Sequence, residues 1–162
     1  MTILAVDTAL SACSVGILQD DRSTAVSEAM ARGHAEALMP MLDRVLGEAG
    51  VSYGDIDRFA VTVGPGTFTG VRVGVAAVRG LSLVTGKPAI AVTTLEGLAE
   101  TARARADALA GPLLVAVDAR REEVYAQVFG AGGALSEPMV IGLESLLIRL
   151  PVEVDAVFGS AA

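Results

Sequence analysis

Two segments of this chain carry one pattern, an apolar strand that closes on an aspartate and then turns into a second strand. The first is LAVDT, containing Asp7, and the second is VAVDA, containing Asp118. A weak internal repeat of this kind predicts two related lobes. In the first, Thr2–Asp7, Ser14–Leu18 and Ala25–Ala29 read as a meander, with Gln19, Asp20, Asp21 and Arg22 in a polar turn. Ala35, Leu38, Met39, Leu42, Val45, Leu46 and Ala49 then recur at three- and four-residue spacing, which predicts a helix with Gly50 as its C-terminal cap. Pro40 either starts the regular part of that helix or bends it. A strand over Phe59–Val63 ends at Gly64-Pro65-Gly66, a helix over Phe68–Thr85 stops at Gly86, and strand Ala89–Thr94 and helix Leu95–Arg105 follow. After Gly111 and Pro112 the pattern restarts with strands Leu113–Asp118, Glu123–Phe129 and Pro138–Ile141, helix Leu143–Leu150 and strand Asp155–Phe158.

This order predicts an α/β protein of the actin-like ATPase, sugar kinase and chaperone superfold (ASKHA, ribonuclease H-like). Its βββαβα lobes would be duplicated, with a first lobe over 1–106 and a second, apparently truncated lobe over 107–162. Fold does not fix function. Composition excludes several functions. Of 162 residues 52% are hydrophobic, ample for a core. Cys13 and His34 are the sole cysteine and histidine, so neither an intramolecular disulfide nor a zinc site of nitrogen and sulfur ligands is available. Twelve basic against 19 acidic residues, a net charge of -7, oppose unaided nucleic-acid binding. MTILAVDTAL lacks the basic leader of a secretory signal, and no later run is read as a membrane span, so a cytoplasmic address is expected.

The most informative motif is GPGTFTGVRVGVAAVRGL, Gly64–Leu81, at a strand-to-helix junction. A glycine-rich turn there can cradle phosphate. It lacks the lysine and hydroxyl pair of a Walker loop, however, and Gly70 falls one residue late for the dinucleotide fingerprint, so a tight structural turn stands beside the phosphate reading. Gly70, Gly74 and Ala77 recur on one side of the helix, although an interior glycine costs about 1 kcal/mol relative to alanine. Close approach by another element would offset that, either inside the lobe or across an interface; Met39 and Met41 on the preceding helix suit both. Asp7 and Asp118 could hold a metal-bound nucleotide, as in a kinase or hydrolase of the superfold, or could form turns. His34 has no triad partner and is expected at the surface or in a cap. Arg120, Arg121, Glu122 and Glu123 read as a charged hairpin turn.

The segments LAVDTAL, GHAEALMPMLDRVL, DIDRFAVTVGPGTFTGVRVGVAAVRGL, KPAIAVTTLEGLAE and VAVDARREEVYAQVF, from Leu4 to Phe129, together resemble the TsaB family. The resemblance implies a non-catalytic partner of the threonylcarbamoyl transferase TsaD, which forms threonylcarbamoyladenosine beside the tRNA anticodon. The transferase carries an H-x-E-x-H metal motif where this chain has Thr94, Leu95, Glu96, Gly97 and Leu98, so only the glutamate survives. By resemblance, Leu38, Met39, Leu42, Leu46, Gly70, Val71, Gly74 and Val78 would contact TsaD, and the TsaE ATPase would join. A homodimer would form in the absence of TsaD. The chain would have no cofactor or metal of its own and would meet tRNA only indirectly. Any ATP or ADP would lie at the complex interface, near Asp7, Gly64, Gly66 and Asp118. Family members usually continue beyond Ala162, and this puts a cleft between lobes in question.

Overall fold

The computed structural model describes residues 1–105, 111–150 and 153–160, excepting the side chains of residues 147 and 149. Packing divides the chain into two compact units, Met1–Val92 and Thr93–Ala162. The lobe boundary expected at 106/107 lies outside the described residues, and the division falls before it.

The first unit contains strands β1 (Thr2–Asp7), β2 (Ala12–Gln19) and β3 (Arg22–Ala29), helix α1 (His34–Ala49), strand β4 (Arg58–Thr62), helix α2 (Phe68–Thr85) and strand β5 (Ala89–Val92). This is the expected βββαβα order with one further strand. The sheet runs β3-β2-β1-β4-β5. β1 and β2 pair antiparallel from Thr2↔Gln19 to Asp7↔Ser14, and β4 joins β1 in parallel. Alternation turns Leu4, Val6, Val15 and Ile17 toward one face. There they meet Phe59 and Val61 of β4, and Leu38, Leu42 and Val45 of α1. Burying each of these larger side chains contributes on the order of 2 kcal/mol.

Helix α1 begins at His34, so of the two readings left open at Pro40 the start is excluded; the proline lies inside the helix. It cannot donate to the Glu36 carbonyl, and both residues are exposed, where water can serve the freed oxygen. Gly50 takes the left-handed conformation at φ 69 and closes the helix, with the Val51 N–H reaching back to the Leu46 carbonyl at 3.1 Å. By length and composition alone α2 is apolar enough to cross a membrane, contrary to the sequence expectation. It lies instead against β4, β1 and β5 and carries Arg72 and Arg79.

The second unit contains helix α3 (Thr94–Arg105), strands β6 (Leu113–Arg120), β7 (Glu123–Gly130), β8 (Gly133–Ala134) and β9 (Met139–Gly142), helix α4 (Leu143–Arg149) and strand β10 (Ala156–Gly159). β6 pairs antiparallel with β7, β9 pairs antiparallel with β7, and β10 pairs parallel with β6. The succession β10-β6-β7-β9 therefore reproduces β4-β1-β2-β3, so the sequence repeat is also a repeat of topology. The two-residue β8 was not anticipated, since Gly133–Ala134 has no apolar pattern. Helix α3 packs on β6, β7 and β10, with Leu95, Ala99 and Ala102 buried. Arg103 Nη2 also donates to the Gly130 carbonyl of β7 at 2.6 Å. These contacts place α3 with the strands that follow it.

Candidate functional site

The glycine-rich motif meets the end of β1. Thr8, wholly buried, donates its hydroxyl to the Gly70 carbonyl at 2.7 Å. The Thr67 amide donates to the Ala9 carbonyl at 2.7 Å, and the Thr67 hydroxyl caps α2 by accepting from the Gly70 amide at 3.2 Å. A Cβ on Gly66 would overlap the Ala9 carbonyl oxygen, and one on Gly70 would overlap that of Thr8. Gly64 needs its φ of 101, which side chains rarely adopt. The space that the glycines leave is thus filled by the chain's own carbonyl oxygens, which repel phosphate. Of the two readings left open, the geometry supports the tight structural turn.

Asp7 and Asp118 prove to do the same work in the two repeats. Asp7 Oδ1 accepts from the Ala9 amide at 2.9 Å and Asp118 Oδ1 from the Arg120 amide at 2.7 Å, each two residues onward. This is the turn-forming role of aspartate; β1 closes on Asp7, whereas β6 runs past the expected end at Asp118 to Arg120, with an irregular register between the two. Asp7 Oδ1 also accepts from the Thr62 hydroxyl at 2.7 Å, tying β1 to β4. Among the described residues no group of three histidines, cysteines, aspartates or glutamates could hold a metal. In the kinase or hydrolase reading the carboxylates of Asp7 and Asp118 would have to serve a metal as well as their turns.

The expected partner face needs a larger correction. Leu38, Leu42, Leu46, Gly70, Gly74 and Val78 are buried within their own unit, so they cannot meet another chain. Only Met39, 48% exposed, and Val71, half-buried, remain open. The reason is local to β1. A Cβ on Gly74 would stand 2.5 Å from Thr8 Oγ1, 3.4 Å from Val61 Cγ2 and 3.5 Å from Val6 Cγ1. The close approach that the helix glycines demanded is thus made by a strand end of the same molecule.

Opposite that stripe, α2 presents Phe68, Arg72, Ala76, Arg79 and Leu83, spaced by four, four, three and four residues and all exposed. Phe68 is 71% and Leu83 84% exposed. The Arg72 guanidinium lies 3.7 Å from the centroid of the Phe68 ring, one turn away. A helical projection of α2 carries the signal for this face, because Phe68 and Leu83 fall on the side away from Gly74. Val84, 85% exposed, lies off this face at the end of the helix.

His34 is buried, which corrects the expectation of a surface or capping histidine. Its Nε2 lies 3.2 Å from the Leu10 carbonyl, and the cap position belongs to Gly33 at φ 89. At α3, the Thr93 amide and hydroxyl each donate to Glu96 Oε2 at 2.8 Å, while the Glu96 amide donates to the Thr93 hydroxyl at 3.1 Å. The glutamate of the metal-like motif is thus half of a capping box. Thr94 is buried, its hydroxyl without a hydrogen-bond partner among the described residues. At the β6–β7 hairpin, Arg120, Arg121 and Glu122 take φ values of 67, 56 and 64. Glycine or asparagine is the usual occupant of that region.

Comparison with known proteins adds the following. The profile of the family described as "TsaD: tRNA N6-adenosine threonylcarbamoyltransferase" matches residues 24–149. The chain is 42% identical over 125 residues to the tRNA threonylcarbamoyladenosine biosynthesis protein TsaB of Escherichia coli K12, covering 77% of this chain and 53% of that protein. It is 37% identical to the protein of the same name from Haemophilus influenzae, over 77% of this chain and 52% of that one. The chain spans about half the length of these curated relatives. Among solved structures it superposes at a TM-score of 0.87 and 32% identity on a Pseudomonas aeruginosa protein described as uncharacterized, with similarity to peptidase YEAZ; the match covers 98% of this chain and 84% of that one. At 19% and 10% identity, a ROK hexokinase from Thermus thermophilus (TM-score 0.51) and a PPX-GPPA enzyme from Aquifex aeolicus (0.53) share its fold, which is the actin-like ATPase fold.

Proposed function

The chain belongs to the TsaB family, and from that membership we propose that it serves tRNA threonylcarbamoyladenosine formation as the non-catalytic partner of the transferase TsaD. The observation that carries this reading is the outward stripe of α2. An apolar helix places Gly70 and Gly74 against its own sheet and leaves Phe68 and Leu83 in solvent, flanked by Arg72 and Arg79. Exposed aromatic and aliphatic side chains gathered on one face, with arginine among them, have the make-up of an interface core. The residues proposed for the contact are therefore Phe68, Arg72, Ala76, Arg79 and Leu83, with Met39 of α1.

In this reading the transferase supplies metal and catalysis, and nucleotide belongs to the assembly. TsaE joins the pair, tRNA is held mainly by the partners because this chain carries a charge of -7, and the work is done in the cytoplasm. Without the transferase the same apolar stripe favours a second copy of the chain, giving a homodimer.

Mixing the purified chain with the transferase of its own organism tests the proposal. Wild type should co-migrate with the transferase in size-exclusion chromatography, and Leu83→Asp should not. The variant should melt within a degree or two of wild type, since exposed positions change stability by about 0.5 kcal/mol or less. No co-migration by wild type would refute the docking reading, and threonylcarbamoyladenosine formation by the isolated chain would refute the non-catalytic role.

A further inference from the structure

Thr8 sits at a position where packing alone calls for valine. It follows β1 in the first unit, is wholly buried, and lies against the first two turns of α2, among Val6, Val61 and the glycine stripe. A hydroxyl in such surroundings must be bonded, or its desolvation goes uncompensated. It is bonded to one group, the Gly70 carbonyl at 2.7 Å. Gly70 and Gly74 are both shaped around this residue. A Cβ on the first would overlap the Thr8 carbonyl oxygen, and a Cβ on the second would stand 2.5 Å from the Thr8 hydroxyl.

Apart from the Thr67 amide on the Ala9 carbonyl at the helix cap, the rest of the α2 seat is aliphatic. Within the helix only Gly70, Gly74 and Val78 are fully buried, and contacts of that kind tolerate a small slide or rotation. A hydrogen bond to one carbonyl does not. We infer that Thr8 is a positioning residue: its hydroxyl fixes the axial register and rotation of α2, and so presents the Phe68, Arg72 and Leu83 face in the orientation a partner can dock on. This inference rests on the docking role proposed above. It assigns to a buried side chain, which touches no partner, part of the control over partner affinity, because a misplaced helix is binding-competent for only a fraction of the time.

Thr8→Val keeps the shape and removes the donor, while Thr8→Ser keeps the donor. Affinity for the transferase of the same organism is measured by calorimetry well below the melting temperature, where circular dichroism shows each variant folded. Thr8→Val should bind about tenfold more weakly, the scale set by one buried hydrogen bond. Thr8→Ser should stay within about twofold of wild type. Should Thr8→Val not fold, Thr8→Ser and Thr8→Ala replace it, since they differ by the hydroxyl alone, and the alanine variant should be the weaker binder. Equal binding by variants with and without the hydroxyl overturns the role of Thr8 and leaves the docking reading standing. No binding by wild type overturns both.

Discussion

Alanine at Gly74 and at Gly80 tests whether the glycines of α2 serve the molecule's own sheet. Both lie within one helix, where glycine-to-alanine alone should stabilise by about 1 kcal/mol. At Gly80 the added Cβ would meet nothing within 4 Å among the described residues beyond its own helix backbone and chain neighbours, so the full gain is expected. At Gly74 the Cβ would stand 2.5 Å from Thr8 Oγ1, where ordinary contact begins at 3.4 Å. Thr8 cannot swing clear, because it is β-branched, buried and bonded to Gly70. Overpacking of this kind costs about 1–3 kcal/mol, and displacing the hydroxyl removes a hydrogen bond contributing about 1 kcal/mol more. After the propensity gain, Gly74→Ala should destabilise by about 1–3 kcal/mol. Each kcal/mol moves the melting temperature of a chain this size by roughly 2–4 °C. Thermal melts followed by circular dichroism should therefore place Gly74→Ala several degrees below wild type and Gly80→Ala slightly above it. A Gly74→Ala protein as stable as wild type would refute the inward reading of the stripe. A bulky residue at Gly74, which the resemblance alone would suggest as a test of docking, reports on folding instead.

Three further outcomes are expected. Replacing Arg121 and Glu122 with asparagine and glycine should raise the melting temperature, because each left-handed non-glycine residue costs about 1 kcal/mol and the pair forms the two-residue loop of the β6–β7 hairpin; an unchanged melt would mean the turn holds no such strain. Burial, aided by Glu28 and Asp7, pushes the Cys13 thiol above its ordinary range. The folded protein should therefore resist iodoacetamide near pH 8 until denatured, and its stability should decline as pH rises past about 8.5, where the unfolded chain releases a proton that the folded chain retains; rapid native labelling would contradict this. Glu96→Ala should lower stability by about 1 kcal/mol through loss of the α3 capping box, read in urea titrations, and no loss would show that the cap is idle.

Much of the fold was legible because its signals are local. Short apolar runs ending at turn residues marked β1 and β4, three- and four-residue spacing marked α1, helical length marked α2, and Gly50 and Gly86 closed those helices where left-handed residues were needed. The repeated aspartate was legible as a pattern but not in its role. A carboxylate that bonds the amide two residues onward looks in the chain like any other, and only the 2.9 and 2.7 Å contacts show the turn role. His34 was misread because nothing near it in sequence reveals the Leu10 carbonyl it meets, 24 residues away.

The sequence by itself determined the family and most of the order of elements, since these depend on residue identity and short-range spacing. Which side of α2 is inside was decided only by the tertiary structure. A small-residue stripe shows that something comes close but does not say whether it belongs to the same molecule. That depends on a contact spanning 62 residues, the Thr8 hydroxyl on the Gly70 carbonyl, which exists only once β1 and α2 have been brought together.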